Sequence, residues 1–121
     1  MKLAVTSSGA NLDSEVDPRF GRCQHIIFVD TDTMQFEAVQ NAGGAGAGGA
    51  GIAAGQLVAA RGAQVVLTGE CGPNAHQVLS SANIQVITGV SGKVREAIEA
   101  YKTGHYKATL NPTVPAHFGQ T

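Results

Sequence analysis

The sequence predicts an α/β domain built on a mixed five-stranded sheet, and three features carry that prediction. Residues 25–29 and 34–40 are two strand-like runs separated only by Asp30-Thr31-Asp32-Thr33, the spacing of a hairpin. After them, segments of helical and strand period alternate, which calls for parallel strands joined by right-handed crossovers. Glycine and proline punctuate the boundaries, with Gly62 behind one helical segment and Gly72-Pro73 ahead of the next. The expected order is β-β-β-α-β-α-β-α.

Each element follows from its own residues. Residues 2–6 form a first strand, and 7–23 a long polar loop carrying Gly9, Asn11, Pro18 and Gly21. His25-Ile26-Ile27-Phe28-Val29 is nearly all apolar, the pattern of a strand buried on both faces. In 34–40, Met34, Phe36 and Ala38 alternate with Gln35 and Glu37, so this strand is expected to be half exposed. Six of the nine residues from 43 to 51 are glycine. A helix is expected over 52–61, well buried because Ile52, Leu57, Val58 and the alanines leave few polar positions. Val65-Val66-Leu67 is a short interior strand. Pro73 opens the next helix at the position where its missing N–H costs nothing, and Ala75, Val78, Leu79 and Ala82 follow helical spacing. Residues 84–87 are a last strand. Ser91 is the expected N-cap of a helix carrying Val94, Ala97, Ile98 and Tyr101 on one face. The domain is expected to span 1–102, with 103–121 a loosely ordered tail.

Composition narrows the function. With 121 residues the chain can bury roughly two-thirds of its unfolded surface, so no disulfide staple is required. A net charge of −1 and only 14% charged residues exclude a general nucleic-acid binder. No apolar run has the length of a membrane span. Met1-Lys2 leads directly into Leu3-Ala4-Val5 without a signal segment, so a cytoplasmic protein is expected, with Cys23 and Cys71 as reduced thiols.

Strand direction gathers the unusual residues. If the first strand runs up, the second begins at the top, beside Arg19-Phe20-Gly21-Arg22-Cys23. The third delivers the glycine run there, the fourth Gly69-Glu70-Cys71-Gly72, and the fifth Gly89-Val90-Ser91-Gly92. Open α/β sheets bind ligands at such an edge. Three helix starts would offer it unpaired N–H groups, each worth roughly 0.3–1 kcal/mol to a nearby anion. Arg19 and Arg22 add planar donor forks. The thiolate of Cys71, just before a helix start, is expected to be favoured.

Three motif readings compete. Gly46-Ala47-Gly48-Gly49-Ala50-Gly51 matches a dinucleotide fingerprint with Glu70 as the ribose acid, but a run so rich in glycine matches in several registers and the preceding strand ends too early. Asp13, Glu15 and Asp17 would have to serve a two-metal nuclease, yet they share one loop and read as a solvated acidic segment. Cys23, Cys71, His25 and His76 are metal-ligand types without metal-motif spacing. For His25 a satisfied core histidine is favoured, for His76 a surface residue, and for each cysteine a buried free thiol stands level with ligation. His105 and His117 fall in the tail and receive no role.

Taken in order, Met1-Lys2-Leu3-Ala4-Val5, Asp17-Pro18-Arg19-Phe20-Gly21-Arg22, Gly48-Gly49-Ala50-Gly51-Ile52-Ala53-Ala54, Leu67-Thr68-Gly69 and Gly72-Pro73-Asn74-Ala75 resemble the dinitrogenase iron–molybdenum cofactor biosynthesis family over residues 1–102. The resemblance implies a three-layer ribonuclease H-like fold without nuclease residues. It also implies a non-catalytic role in binding or carrying a metal–sulfur cofactor or its precursor. Stand-alone members of this size, found in anaerobes, imply a molybdenum–copper sulfide cluster held without covalent attachment, or a related thiomolybdate or iron–molybdenum precursor. The matching cofactor-binding positions are Arg19, Phe20, Gly21, Arg22, Gly48, Gly49, Gly51, Gly69, Gly72, Pro73 and Asn74, with Ile52 supplying apolar contact. Cys23 and Cys71 lie beside these motifs as candidate metal ligands. Some relatives carry histidines in the glycine run; this chain has none. The family also implies P-loop ATPase partners of the Mrp/MinD type, so the alternative function is a module docking on such an ATPase. An enzyme ranks third, because no nucleophile–base or acid pair stands at workable spacing.

Overall fold

Odd and even positions of the central strands are both apolar, and the two sets go to opposite faces of one sheet. In the computed structural model, which describes residues 1–41 and 50–106, β1 (Lys2–Ser7) sends Leu3 and Val5 to one core and Ala4 to the other. β2 (His25–Asp30) divides Ile27 and Val29 from Ile26 and Phe28 in the same way. β3 is Phe36–Gln40, and α1 is Ala50–Ala60. They are followed by β4 (Val65–Leu67), α2 (Pro73–Ser81), β5 (Gln85–Ile87) and α3 (Val94–Lys102). A period of two with both faces apolar requires a covering layer on each side. α1 and α2 cover one face through Ala54, Val58, Ala75 and Leu79. α3 covers the other through Val94, Ala97 and Ile98, together with Leu12 and Val16 of the long loop.

The sheet order is β3-β2-β1-β4-β5. β1 pairs antiparallel with β2 and parallel with β4, β3 is antiparallel to β2, and β5 is parallel to β4. Three layers on a mixed five-stranded sheet, in the expected chain order, is what the sequence predicts. Among the described residues no helix is long and apolar enough to cross a membrane.

Several local expectations are corrected. β3 starts at Phe36 because Met34 adopts a positive φ of 62° and its N–H closes a turn on the Asp30 carbonyl at 2.7 Å. α1 begins two residues before the expected start and buries only Ala50, Ala54, Gly55 and Val58, leaving Ile52 37% exposed. Its outer face is alanine-rich, so the sequence shows no polar contrast to mark which side is wet. α3 is capped at Lys93, whose N–H donates to Glu96 Oε1 at 3.3 Å; Gly92 turns the chain at φ 88°, so Ser91 stays outside the helix. Residues 107–121 of the expected tail lie outside the described residues; before them, Tyr106 packs against the α3-side core.

Candidate functional site

The long loop after β1 folds back over the upper ends of the parallel strands because its backbone completes theirs. Asp17 N–H donates to the Thr6 carbonyl at 3.0 Å, and Thr6 Oγ1 donates to the Asp17 carbonyl at 2.7 Å while lying 2.9 Å from Thr68 Oγ1. Next along, Glu70 N–H donates to the Pro18 carbonyl at 2.7 Å and Phe20 N–H to the Glu70 carbonyl at 3.0 Å, a short parallel bridge. Gly69 permits this approach. A Cβ there would stand 2.6 Å from Pro18 Cα.

The bridge carries the arginine segment onto the helix starts. Gly21, at φ 101°, lies so close to α1 that a Cβ would fall 2.9 Å from Gly51 Cα. Gly51 in turn abuts α2, where a Cβ would meet that of Ala75 at 3.0 Å. The result is a cavity of about 230 Å³. Phe20, Ala50, Pro73 and Ala75 form its apolar wall, Arg22 and Asn74 its polar rim, and Gly51 and Gly72 bring backbone to its surface. No side chain caps the start of α2, so its first N–H groups remain available to a ligand.

Of the expected binding positions, Phe20, Arg22, Gly51, Gly72, Pro73 and Asn74 thus line one cavity. Gly21 and Gly69 act beneath it, as contacts between segments. Ile52 is exposed one residue beyond Gly51 and outside the lining. Gly48 and Gly49 lie outside the described residues. Arg19 turns to a neighbouring groove of about 480 Å³ that it shares with Arg22, Cys23, Gln24, His25, Gln40 and Asn41. Asp17 partly neutralises Arg19, its Oδ1 lying 3.6 Å from Arg19 Nε. Arg22 has no ion-pair partner among the described residues.

The cysteines behave as core residues. Both are buried on the α1–α2 side of the sheet. Burial pushes the Cys71 thiol up to about 11. Cys23 also rises to about 11, through burial first and the nearby Asp17 carboxylate second, with the Gly21 and Asn41 hydrogen bonds pulling the other way. The expected thiolate at Cys71 is therefore overturned: desolvation outweighs the helix start. Among the described residues no three His, Cys, Asp or Glu side chains stand together to hold a metal ion.

The histidine expectations also change. His76 is buried at 9% exposure, with Nδ1 3.3 Å from Ser80 Oγ one turn on. His25 is only half-buried, and its Nδ1 is a buried atom with no hydrogen-bond partner. The acidic loop is structural, as Asp13 pairs with Arg95 at 3.2 Å and Asp17 with Arg19. Against the dinucleotide reading, α1 follows an antiparallel edge strand, where that fingerprint needs a parallel interior one. Sequence reasoning missed Gln24, Gln40 and Asn41. The hairpin register, which sets Gln40 opposite His25, is the signal that leads to Gln40.

Fold and site together define a small three-layer α/β domain whose upper edge gathers an unpaired guanidinium, backbone amides and an apolar wall around one cavity. The chain belongs to the dinitrogenase iron-molybdenum cofactor family, which it matches over residues 1–104. It is similar to the apo form of the orange protein from Desulfovibrio gigas, at 42% identity and a TM-score of 0.90, over 93% of this chain and 95% of that one. A candidate NifB protein from Thermotoga, of the DUF35 family, is 28% identical with a TM-score of 0.78, over 93% and 97% of the two chains. An uncharacterized protein of Methanocaldococcus jannaschii is 24% identical over 107 residues, 86% of this chain and 87% of that one.

Proposed function

We propose that this protein binds and carries an anionic metal–sulfur cluster containing molybdenum, with a molybdenum–copper sulfide or thiomolybdate species as cargo, and that it catalyses no turnover of its own. The observation that carries the reading is the close packing of Gly21 on Gly51 and of Gly51 on Ala75. It brings the Arg22 segment and the starts of α1 and α2 around one cavity. A thiometallate is a bulky anion with a soft, polarizable surface. Arg22 and the unpaired amides of the α2 start suit its charge, and Phe20 and Pro73 suit its sulfur face. Both thiols are protonated at neutral pH and buried, so retention by charge and hydrogen bonding fits these residues better than thiolate coordination.

The test is to incubate the protein with tetrathiomolybdate and copper, then desalt. Stoichiometric visible absorption should travel with the protein, and colour leaving with the small molecules defeats the reading. Replacing Arg19 and Arg22 together by alanine should weaken uptake far more than Cys71→Ser; the opposite ranking means a thiolate ligand. Colourless protein that instead co-purifies with a P-loop ATPase of the Mrp/MinD type supports the docking alternative.

A further inference from the structure

The groove on the other side of Arg22 has a different chemistry from the cavity just described. Gln24, Gln40 and Asn41 contribute carboxamides, His25 an imidazole, and Arg19 and Arg22 guanidinium groups. None of its described lining residues is a carboxylate, although the Asp17 carboxylate lies 3.6 Å from Arg19 Nε. His25 is among the lining residues, and its Nδ1, buried behind the groove surface, is the one buried side-chain nitrogen or oxygen without a hydrogen-bond partner among the described residues. A buried polar atom without a partner costs about 1–3 kcal/mol, and such atoms are rare in native proteins. Asn41 does not relieve it: its Nδ2 donates to the carbonyls of Gly21 at 3.0 Å and Cys23 at 2.9 Å, and no hydrogen bond joins it to His25 Nδ1.

We infer that this groove is a second ligand site, built for a hard tetrahedral oxyanion such as molybdate or phosphate. Oxygen accepts directional hydrogen bonds that a sulfide surface accepts poorly, so the carboxamide donors of Gln24 and Gln40 select an oxyanion where Phe20 and Pro73 select a thioanion. Arg22 supplies charge while Gln24 and Gln40 supply donors. Arg22 borders both sites, so its loss weakens both ligands. Gln40 lines only the groove, on the exposed strand β3.

The inference stands apart from the cluster-carrier reading and is tested separately. Sodium molybdate and, in parallel, sodium phosphate are titrated into the protein while amide and imidazole resonances are followed by NMR. Saturable shifts at Gln24, His25 and Gln40 are expected. Gln40→Glu, which sets a carboxylate in the groove, should weaken binding about tenfold or more while tetrathiomolybdate retention persists. A molybdate-only response identifies an oxometallate site, and equal responses a general oxyanion site; either supports the inference. It is overturned if the shifts are absent or centre on Gly51 and Asn74, or if Gln40→Glu binds as tightly as the parent. Gln24→Glu, at another exposed position, repeats the test should Gln40→Glu fold poorly.

Discussion

Gly21 and Gly89 share a positive φ, 101° and 76°, yet differ in what a side chain would meet. Around Gly89 nothing lies within 4 Å, whereas a Cβ on Gly21 runs into the backbone of Gly51 and Ala50. Gly89→Ala should therefore cost only the conformational penalty, about 1 kcal/mol. Gly21→Ala adds a clash that no flexible group can absorb and should cost about 3 kcal/mol. Urea midpoints at unchanged slope read the difference, and equal losses would mean that Gly21 does not touch α1. The cysteines give a second residue-scale prediction. Above the ordinary thiol value of 9.0 the unfolded chain releases these protons, while the folded chain keeps them to about 11. The native state then binds more protons, so stability is complete below pH 9 and falls between about 9 and 11. At about 1.4 kcal/mol per pH unit, each thiol loses roughly 2–3 kcal/mol across that window. Replacing both Cys23 and Cys71 by alanine should flatten the alkaline arm of a stability–pH curve relative to the parent. An identical slope in the two proteins would show that the thiols titrate normally.

Among elements, the arginine loop matters most, and it is held by a residue on another strand end. Asn41, buried just after β3, donates from Nδ2 to the Gly21 and Cys23 carbonyls, while its own N–H donates to Gln24. Asn41→Ala leaves two buried carbonyls short of a donor and should cost about 1–3 kcal/mol. It should also loosen Arg22, visible as faster amide exchange at 20–24; unchanged exchange would remove Asn41 from this role. No sequence pattern marks that clamp, because a single Asn after a strand is ordinary turn composition. The strands were legible for the opposite reason: Leu3-Ala4-Val5 and Ile26-Ile27-Phe28-Val29 are apolar on both faces, which only an interior strand satisfies. Pro73 likewise marks the first position of α2. The burial of α1 was misread, since alanine and glycine fill its wet and dry faces alike. The thiolate expected at Cys71 failed because sequence shows the helix start and hides the burial. Convergence of Arg22 with α1 and α2 followed from strand direction alone, whereas His25 and its orphaned Nδ1 depend on tertiary packing.

For the whole molecule, the three layers separate what holds the fold together from what meets a ligand. The α3-side core contains Leu3, Val5, Ile27, Ile98 and their neighbours, and no residue that lines either proposed site. The α1–α2 side contains Phe20, Cys23 and Ala75, which reach the cavity or the groove. Stability and binding should therefore come apart in opposite directions. Ile98 is fully buried on the α3 side, so Ile98→Ala should cost about 2–5 kcal/mol. The folded fraction should still retain tetrathiomolybdate at the parent's stoichiometry. Arg22 is exposed and unpaired, so Arg22→Ala should move stability by no more than about 0.5 kcal/mol while retention falls. Raising the salt concentration should imitate Arg22→Ala and leave the effect of Ile98→Ala unchanged, because exposed charge is screened and buried apolar contact is not. Denaturation curves and desalting measurements on the two variants, at low and high salt, check all of this together. If Ile98→Ala lost its cargo while still folded, the site would extend through the sheet to the far layer, and the upper edge would not be the whole of it.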